Sequence, residues 1–419
     1  MRFHPRMNHD ALSETALGLI RAGIAAADPF TAVAGALPGL LAQVVPVGGW
    51  RVLAVGKAAP QMARAALTLL PGVPALAVTH AGNDRPLPGA MVLRAGHPEP
   101  DAQGLAAAHQ VAEFLSQGRA GQAVLALISG GGSAMLPAPV PGVTLADKIA
   151  VNRLLLGSGL DIIAMNRIRQ ALSVQKGGGW LRLSPAPVCT LILSDVPGDD
   201  PRVVASGPSV APIGTLAQAA DLARQAGLWS RLPPAVQRAL TRPQPPAPPP
   251  GGPVQVVGSN AISLRAMAAA GARSAPRPLT GEVATCAPRL LAAMRDLRPG
   301  QALAFGGETT VRLGSGPVGQ GGRNQELALR LALAEAAAPL GFDWRFAALG
   351  SDGRDGPGQA AGAVVGPETL ARMRAAGLDP QAALRAHDSG PALAAAGALV
   401  MTGSTGTNVA DLAVALRAQ

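Results

Sequence analysis

The sequence predicts an α/β protein that opens on a parallel sheet and continues into a second α/β unit. Three observations predict it. Short apolar runs alternate with helical stretches along the 419 residues, the pattern of βαβ units. A polar or glycine-rich cluster follows nearly every apolar run, where open α/β sheets bind ligands. The segment "RPQPPAPPPGGP" at 242–253 separates the two halves, because its prolines and glycines exclude helix and sheet.

In chain order, residues 8–45 read as helix, with apolar spacing through Leu12, Leu17, Ile20 and Ile24. "RVLAVGKAAPQMARAALTLL" (51–70) reads as strand, tight turn and helix. "ALAVTH" (75–80) and "MVLRAGHPEPD" (91–101) read as strand and loop, and a helix near 102–117 leads to "AVLALISGGGSAML". A helical region carries "KIAVNRLLLGSGLDIIAMNRIRQALS", and "PVCTLILSDVPGDDP" (187–201) is again strand then loop. Past the proline-rich segment, "VQVVGSN" (254–260) starts the second unit. The strand "ALAFGGETTVRL", the loop "GSGPVGQGGRNQ" and the helix "ELALRLALAEAAA" follow, then "FAALGSDGRDGPGQAAGAVV" and "ALVMTGSTGTNVADL". The expected domains are 1–245 and 254–419, joined by a semi-rigid linker at 246–253. The clusters after the strands suggest one site assembled from both.

Hydrophobic residues make up 48% of the chain, ample for sizeable cores. The net charge of +10 raises nucleic acid as a partner. The arginines are scattered, however, and aromatics are 2% with no tyrosine, so platforms for stacked bases are lacking and no nucleic acid is expected. No apolar run reaches the about 18–20 residues of a membrane span. Arg21 and Asp28 interrupt any signal-like core behind Arg2 and Arg6. Cys189 and Cys286 build no disulfide framework. A cytoplasmic protein without membrane association is expected, and a homo-oligomer stays open. Of 35 basic residues, only Lys57, Lys148 and Lys176 are lysine. A lysine kept in so arginine-rich a chain points to a place where a compact ammonium is needed.

Among the motifs, "LISGGGSAM" is neither a nucleophile elbow, since Met135 replaces the last glycine, nor a P-loop, since it lacks lysine. Ser129, Gly130, Gly131, Gly132 and Ser133 remain as a backbone cradle for an anion at a helix start. Lys57 directly follows a buried strand, which suits a cation on a phosphoryl group. Lys176 precedes a second triple glycine and reads equally well as structural or functional. Lys148, on an ordinary helical stretch, reads as bland. "GSGPVG" at 314–319 matches G-x-G-x-x-G, but Pro317 argues against the dinucleotide geometry. Arg323 and Asn324 at the next helix start can clamp a carboxylate or phosphate. Asp195, Asp199 and Asp200, and Asp352 and Asp355, are carboxylates in glycine-rich loops, able to hold Mg²⁺ or accept a hydroxyl proton. The histidines have no zinc spacing.

These motifs carry a resemblance. "VGKAA" (55–59), "GHPEPD" (96–101), "LISGGGSAM" (127–135), "MNRIRQALSVQKGG" (165–178), "SDVPGDDPRVVASGP" (194–208), "GGETTV" (306–311), "GGRNQELAL" (321–329) and "TGSTGTNVADL" (402–412) resemble the MOFRL-type D-glycerate 2-kinases over nearly the whole chain. The resemblance implies two unlike α/β domains, an N-terminal Rossmann-like parallel sheet and a C-terminal α/β domain, with the active site in the cleft between them. It implies transfer of the γ-phosphoryl of ATP to the 2-hydroxyl of D-glycerate, with Mg²⁺. The nucleotide would lie on Ser129–Ser133 and Asn260, and the substrate at Lys57, Arg323, Asn324 and Glu308. Lys57 would neutralise the transferred phosphoryl. Asp195 would orient or deprotonate the hydroxyl or hold Mg²⁺, and Arg323 would bind the glycerate carboxylate or a phosphate. Asp352 and Asp355 would be metal ligands or base. Ser351 stands where the family commonly has Thr, Gly358 and Gln359 where it has Thr-Asp, Ser404 for Pro and Ala410 for Asn. A hydroxypyruvate reductase using NAD(P)H is the alternative, and the first βα turn lacks its glycine fingerprint.

Overall fold

The apolar stretch at 8–45 forms two helices rather than one, because Asp28-Pro29 interrupts it. A residue before proline is pushed out of the helical region. The first helix, Ala11–Ala26, is capped by Asp10, whose carboxylate accepts from Ser13 N–H at 2.8 Å. The second, Pro29–Gln43, starts on the proline. This computed structural model describes residues 10–314, 316 and 318–419. Ser315 and Pro317 of the G-x-G-x-x-G match lie outside the described residues, as do Arg2 and Arg6.

The break matters, since the two helices belong to different compact units. Residues 10–28 fold with 258–419, and residues 29–257 form the other unit. This departs from the expected 1–245 and 254–419 at both ends. The proline-rich segment is also bound along its length to the 29–257 unit. Arg182 donates to Pro246 O, Gly252 N–H to Val188 O and Thr190 N–H to Pro253 O.

In the 29–257 unit the strands are β1 (Trp50–Val55), β2 (Ala75–His80), β3 (Met91–Ala95), β4 (Ala123–Ser129), β5 (Val188–Leu193) and β6 (Val254–Gly258). Their order is β3-β2-β1-β4-β5-β6, and the first five pair in parallel. This is the doubly wound Rossmann order, in which the chain reverses direction of growth between β1 and β4 and ligands bind beyond the carboxyl ends there. Strands β1, β4 and β5 are buried at every residue, which explains why they read as continuous apolar runs rather than alternating ones. One face packs on the helix Ala102–Ser116 through Ala107, Ala108, Val111 and Leu115, with Trp180 beside them. A separate helical cluster gathers Val151, Leu155, Ile168, Leu172, Ala219, Ala223, Val236 and Leu240. It is built on the helices Leu145–Leu156, Ile162–Ala171, Leu216–Gln225 and Pro234–Thr241.

In the other unit, β7 (Ala272–Ser274), β8 (Leu279–Glu282), β9 (Ala302–Thr310), β10 (Trp344–Gly350), β11 (Gly362–Val365), β12 (Leu399–Val400) and β13 (Asp411–Arg417) form a mixed sheet. Its order is β12-β11-β10-β13-β9-β7, with β8 on β9. The β10–β11, β10–β13 and β13–β9 pairs are antiparallel, so the two sheets are unlike. Alternation along β10 and β13 sorts the core into two layers. Trp344, Phe346, Ala348, Ala413 and Ala415 face the helices Val283–Arg295 and Arg323–Ala337. Ala347, Leu349, Leu412 and Val414 face Leu17, Ile20 and Ile24 of the first helix, with Met267. Among the described residues no single helix is long and apolar enough to cross a membrane.

The first helix therefore works as a core element of the 258–419 sheet. Ile20→Ala should destabilise the protein by about 2–5 kcal/mol. Hydrogen exchange should show the lost protection in β10 and β13 while β1 and β4 stay protected.

Candidate functional site

The carboxyl ends of β1 and β4 are tied together by backbone. Past β1, Gly56 takes φ +122°, and a side chain there would overlap Ser129. This lets Lys57 N–H donate to Gly130 O at 2.9 Å and Ala58 N–H to the Ser129 hydroxyl at 3.0 Å. Asn83 donates to Lys57 O from the next loop at 2.6 Å. Lys57 is thereby fixed beside the glycine loop, and a side chain at Gly131 would run into the side chains of Lys57 and His97. Past β5, the Asp195 carboxylate lies against Gly130, where any side chain would overlap it. The structure thus brings together Lys57, Gly130, Gly131, Gly132, Ser133 and Asp195, with His97 added.

Ser129 is part of the joint itself. It is 1% exposed, and its hydroxyl bonds to Ala58 N–H and Val55 O, so it holds the loop against β1. The helix after the glycines is a single turn, Gly132–Met135, so its dipole contributes little. The backbone counts for more: no acceptor within this unit takes the N–H groups of Gly131, Gly132 or Ser133. Asp200 is spent on Arg202, whose bonds hold it below the usual carboxylate range. His97 is pulled down to about 4, first by burial and then by the charges of Lys57 and His80, so it is neutral at physiological pH.

Beside Gly131 and Ser133 opens a cavity of ≈ 260 Å³ that sequence reasoning did not anticipate. Val151, Leu156 and Leu172 of the helical region line it, and it holds Lys148, Arg169 and Lys176. Lys148 is 8% exposed and Lys176 6%. Lys148 donates to Leu172 O at 3.2 Å and Lys176 to Ser133 O at 2.6 Å, while Arg169 donates to Asn152. No carboxylate of this unit pairs with any of the three. Burial, then the charge of Arg169, pushes Lys148 down to about 7. Burial, then Lys148 and Arg169, holds Lys176 well below its ordinary range. The signal for this cavity was in the sequence, since it contains two of the chain's three lysines.

In the 258–419 unit the expected residues are mostly bound to one another. Arg323 donates to both oxygens of Asp411, at 2.6 and 3.0 Å, and to Glu308 at 2.6 Å. Burial pushes Asp411 up to about 6 against the pull of Arg323. Asp411 was not singled out, although it lies inside the quoted "TGSTGTNVADL" and opens the last strand. Asp355, 3% exposed, accepts from the N–H and side-chain amides of Asn324 and Gln325. It caps the helix Arg323–Ala337, whose own cap residue is Gly322, so both its oxygens already accept from the helix start. Asn324 is buried in that cap. Asn260 donates both amide hydrogens, to Val409 O and Asp411 O, and clamps the start of β13. Asp352 is half-buried, accepts from Arg354 N–H and lines a cavity of ≈ 700 Å³ with Arg323, Asp355 and His387.

The departures from the family pattern differ in consequence. Ser351 is buried and accepts from Val409 N–H, a role Thr fills equally. Ala410 holds φ +65°, a left-handed conformation that Asn adopts more easily than Ala. Gly358 and Gln359 are exposed, and nothing in the structure explains Ser404.

Comparisons with known proteins also divide the chain in two. Residues 15–241 match a domain of unknown function, DUF4147, and residues 301–411 match the MOFRL family. A D-glycerate 2-kinase of Thermotoga maritima is 36% identical over 97% of this chain and 99% of its own. A putative hydroxypyruvate reductase of Agrobacterium vitis is 40% identical over 93% of this chain and 91% of its own. The crystal structure of a glycerate kinase from Thermotoga maritima superposes with a TM-score of 0.86 at 33% identity, covering 97% of this chain and 99% of that one.

The Lys148 ammonium gives the site a measurable signature. The unfolded chain keeps this proton up to about 10.5 and the folded chain releases it near 7, so stability rises with pH across that window. Lys148→Met should flatten that rise in urea-unfolding midpoints taken across the same window.

Proposed function

Because the chain belongs to the MOFRL-type glycerate kinase family, we propose that it transfers the γ-phosphoryl of ATP to the 2-hydroxyl of D-glycerate, giving 2-phosphoglycerate. The observation that carries this reading is the joint at the sheet's switch point. There the Lys57 side chain lies beside Gly131 and the Asp195 carboxylate beside Gly130, in a loop whose Gly131, Gly132 and Ser133 N–H groups take no acceptor within the unit. Phosphoryl transfer asks a protein mainly for positioning and electrostatic stabilisation, and that is what these groups offer.

In this reading the glycine-loop N–H groups and Lys57 hold phosphate oxygens. The ammonium of Lys57 has no side-chain partner in its unit, so it can follow the phosphoryl group as negative charge builds up. The 2-hydroxyl oxygen bonds to the γ-phosphorus while the bond from that phosphorus to the β–γ bridging oxygen breaks, and ADP leaves. The hydroxyl proton goes to a base, for which Asp195 is the candidate. His97, neutral at physiological pH, adds no repulsion to Lys57.

Among the described residues no group of three His, Cys, Asp or Glu side chains could hold a metal. Mg²⁺ with a nucleotide needs less, since it keeps waters and takes one or two carboxylates plus phosphate oxygens. Asp195 beside the glycine loop fits that role, and Asp355, with its oxygens in the helix cap, does not. When bound, Mg²⁺ neutralises phosphate charge. Arg323 retains N–H groups beyond those given to Asp411 and Glu308, which supports a role on a carboxylate or phosphate. The two cysteines, buried and free, suit a reducing compartment, and we place the enzyme in the cytoplasm.

Incubation with ATP, Mg²⁺ and D-glycerate followed by phosphorus NMR should show 2-phosphoglycerate. No phosphorylated product, with NADH consumed by hydroxypyruvate instead, would move the function to the name carried by the Agrobacterium relative. Lys57→Ala should lower kcat by about 10²-fold or more, and an unchanged rate would remove Lys57 from the mechanism.

A further inference from the structure

The cavity beside Ser133 contains charges that the fold itself does not use. Two lysines and an arginine share one small space in the 29–257 unit, with apolar walls and no carboxylate of that unit among them. Buried charges in structures are normally paired. Here the neighbours are other cations, each of which makes the next more costly. Structural need does not explain the arrangement. Leu172 O and Ser133 O each receive one N–H from a lysine, which a neutral donor could supply as well.

We propose that the cavity formed by Lys148, Arg169, Lys176 and Ser133 is an oxyanion subsite, which receives a multiply charged phosphate or carboxylate ligand. Three converging cations match several negative charges better than one, which favours the polyphosphate of a nucleotide over the single carboxylate of an acceptor. The position supports this. Lys176 is bonded to Ser133, the last residue of the glycine loop, and Gly131 lines the same cavity. An anion on the loop N–H groups would extend into the space between the lysines. Its arrival would also restore the protons that burial drives off, since both lysines are held below their ordinary range. The identity of the ligand as a nucleotide rests on the kinase reading; the existence of an anion site does not.

The consequence is a trade between stability and binding. Without ligand the cations are a burden, so Lys148→Met and Lys176→Met in the full chain should melt no lower than the wild type. Wild-type protein should melt higher with tripolyphosphate at constant ionic strength. Each Met variant should bind tripolyphosphate at least about tenfold more weakly by calorimetry, the scale of one charge-assisted hydrogen bond. If D-glycerate affinity falls instead while tripolyphosphate binding holds, the subsite belongs to the acceptor's carboxylate. If the Met variants do not fold, Arg169→Gln carries the same expectation. Unchanged affinity for both probes, or lost stability with affinity intact, overturns the proposal. These measurements need no turnover, so an inactive kinase assay would leave their outcome standing.

Discussion

The backbone joint between the ends of β1 and β4 sets the position of every group around it. Two bonds make it, Lys57 N–H to Gly130 O and Ala58 N–H to the Ser129 hydroxyl. They form because Gly56 adopts a φ closed to other residues and allows Ser129 to sit against it. The strand order places this joint where the sheet reverses, so helices cannot cover it. With the joint fixed, Lys57 and His97 stand on one side of Gly131, and Asp195 closes over Gly130. A ligand would meet a surface already assembled, which matters because positioning is most of what phosphoryl transfer requires.

The two units handle their buried charges in opposite ways. In the 258–419 unit the acids and bases satisfy one another: Arg323 with Asp411 and Glu308, Asp355 with the start of a helix, Glu326 with Arg330 and His387. Such networks fix loops, and removing one member leaves a buried group unpaired. In the 29–257 unit Lys57, Lys148, Arg169 and Lys176 are left with carbonyl or amide partners or none. The second arrangement costs stability in the free protein, and that cost is reasonable only where a ligand offsets it.

Much of this was legible in the sequence, for identifiable reasons. Fully buried parallel strands read as unbroken apolar runs, so β1, β4 and β5 stood out with their loops. Lys57 stood out because a lysine directly after such a strand has little chance of being a solvated surface residue. The division of the chain was less legible. The helix at 11–26 carries a local pattern suited to either sheet, and only tertiary contact places its Leu17 and Ile20 against β10 and β13. The proline-rich segment announced a linker, yet its carbonyls and a glycine N–H bond to the neighbouring strand and to Arg182 of a short helix. Composition gives the absence of helix there, and it cannot give the docking.

The burial of Lys148 shows where local pattern loses to composition. Its helix carries a complete capping box, Thr144 with Asp147, and an ordinary helical sequence, so an exposed lysine is the ordinary expectation. That expectation holds for a helix lying on the surface of a sheet. Here the helix belongs to a separate cluster that turns Lys148 and Val151 toward the glycine loop. Nothing within one helix reveals which way it faces when a second core lies nearby. The scarcity of lysine did carry that information, because it concerns the whole chain and is independent of local geometry. Lysine survives three times among 35 basic residues, and all three lie around the loop that begins at Gly130.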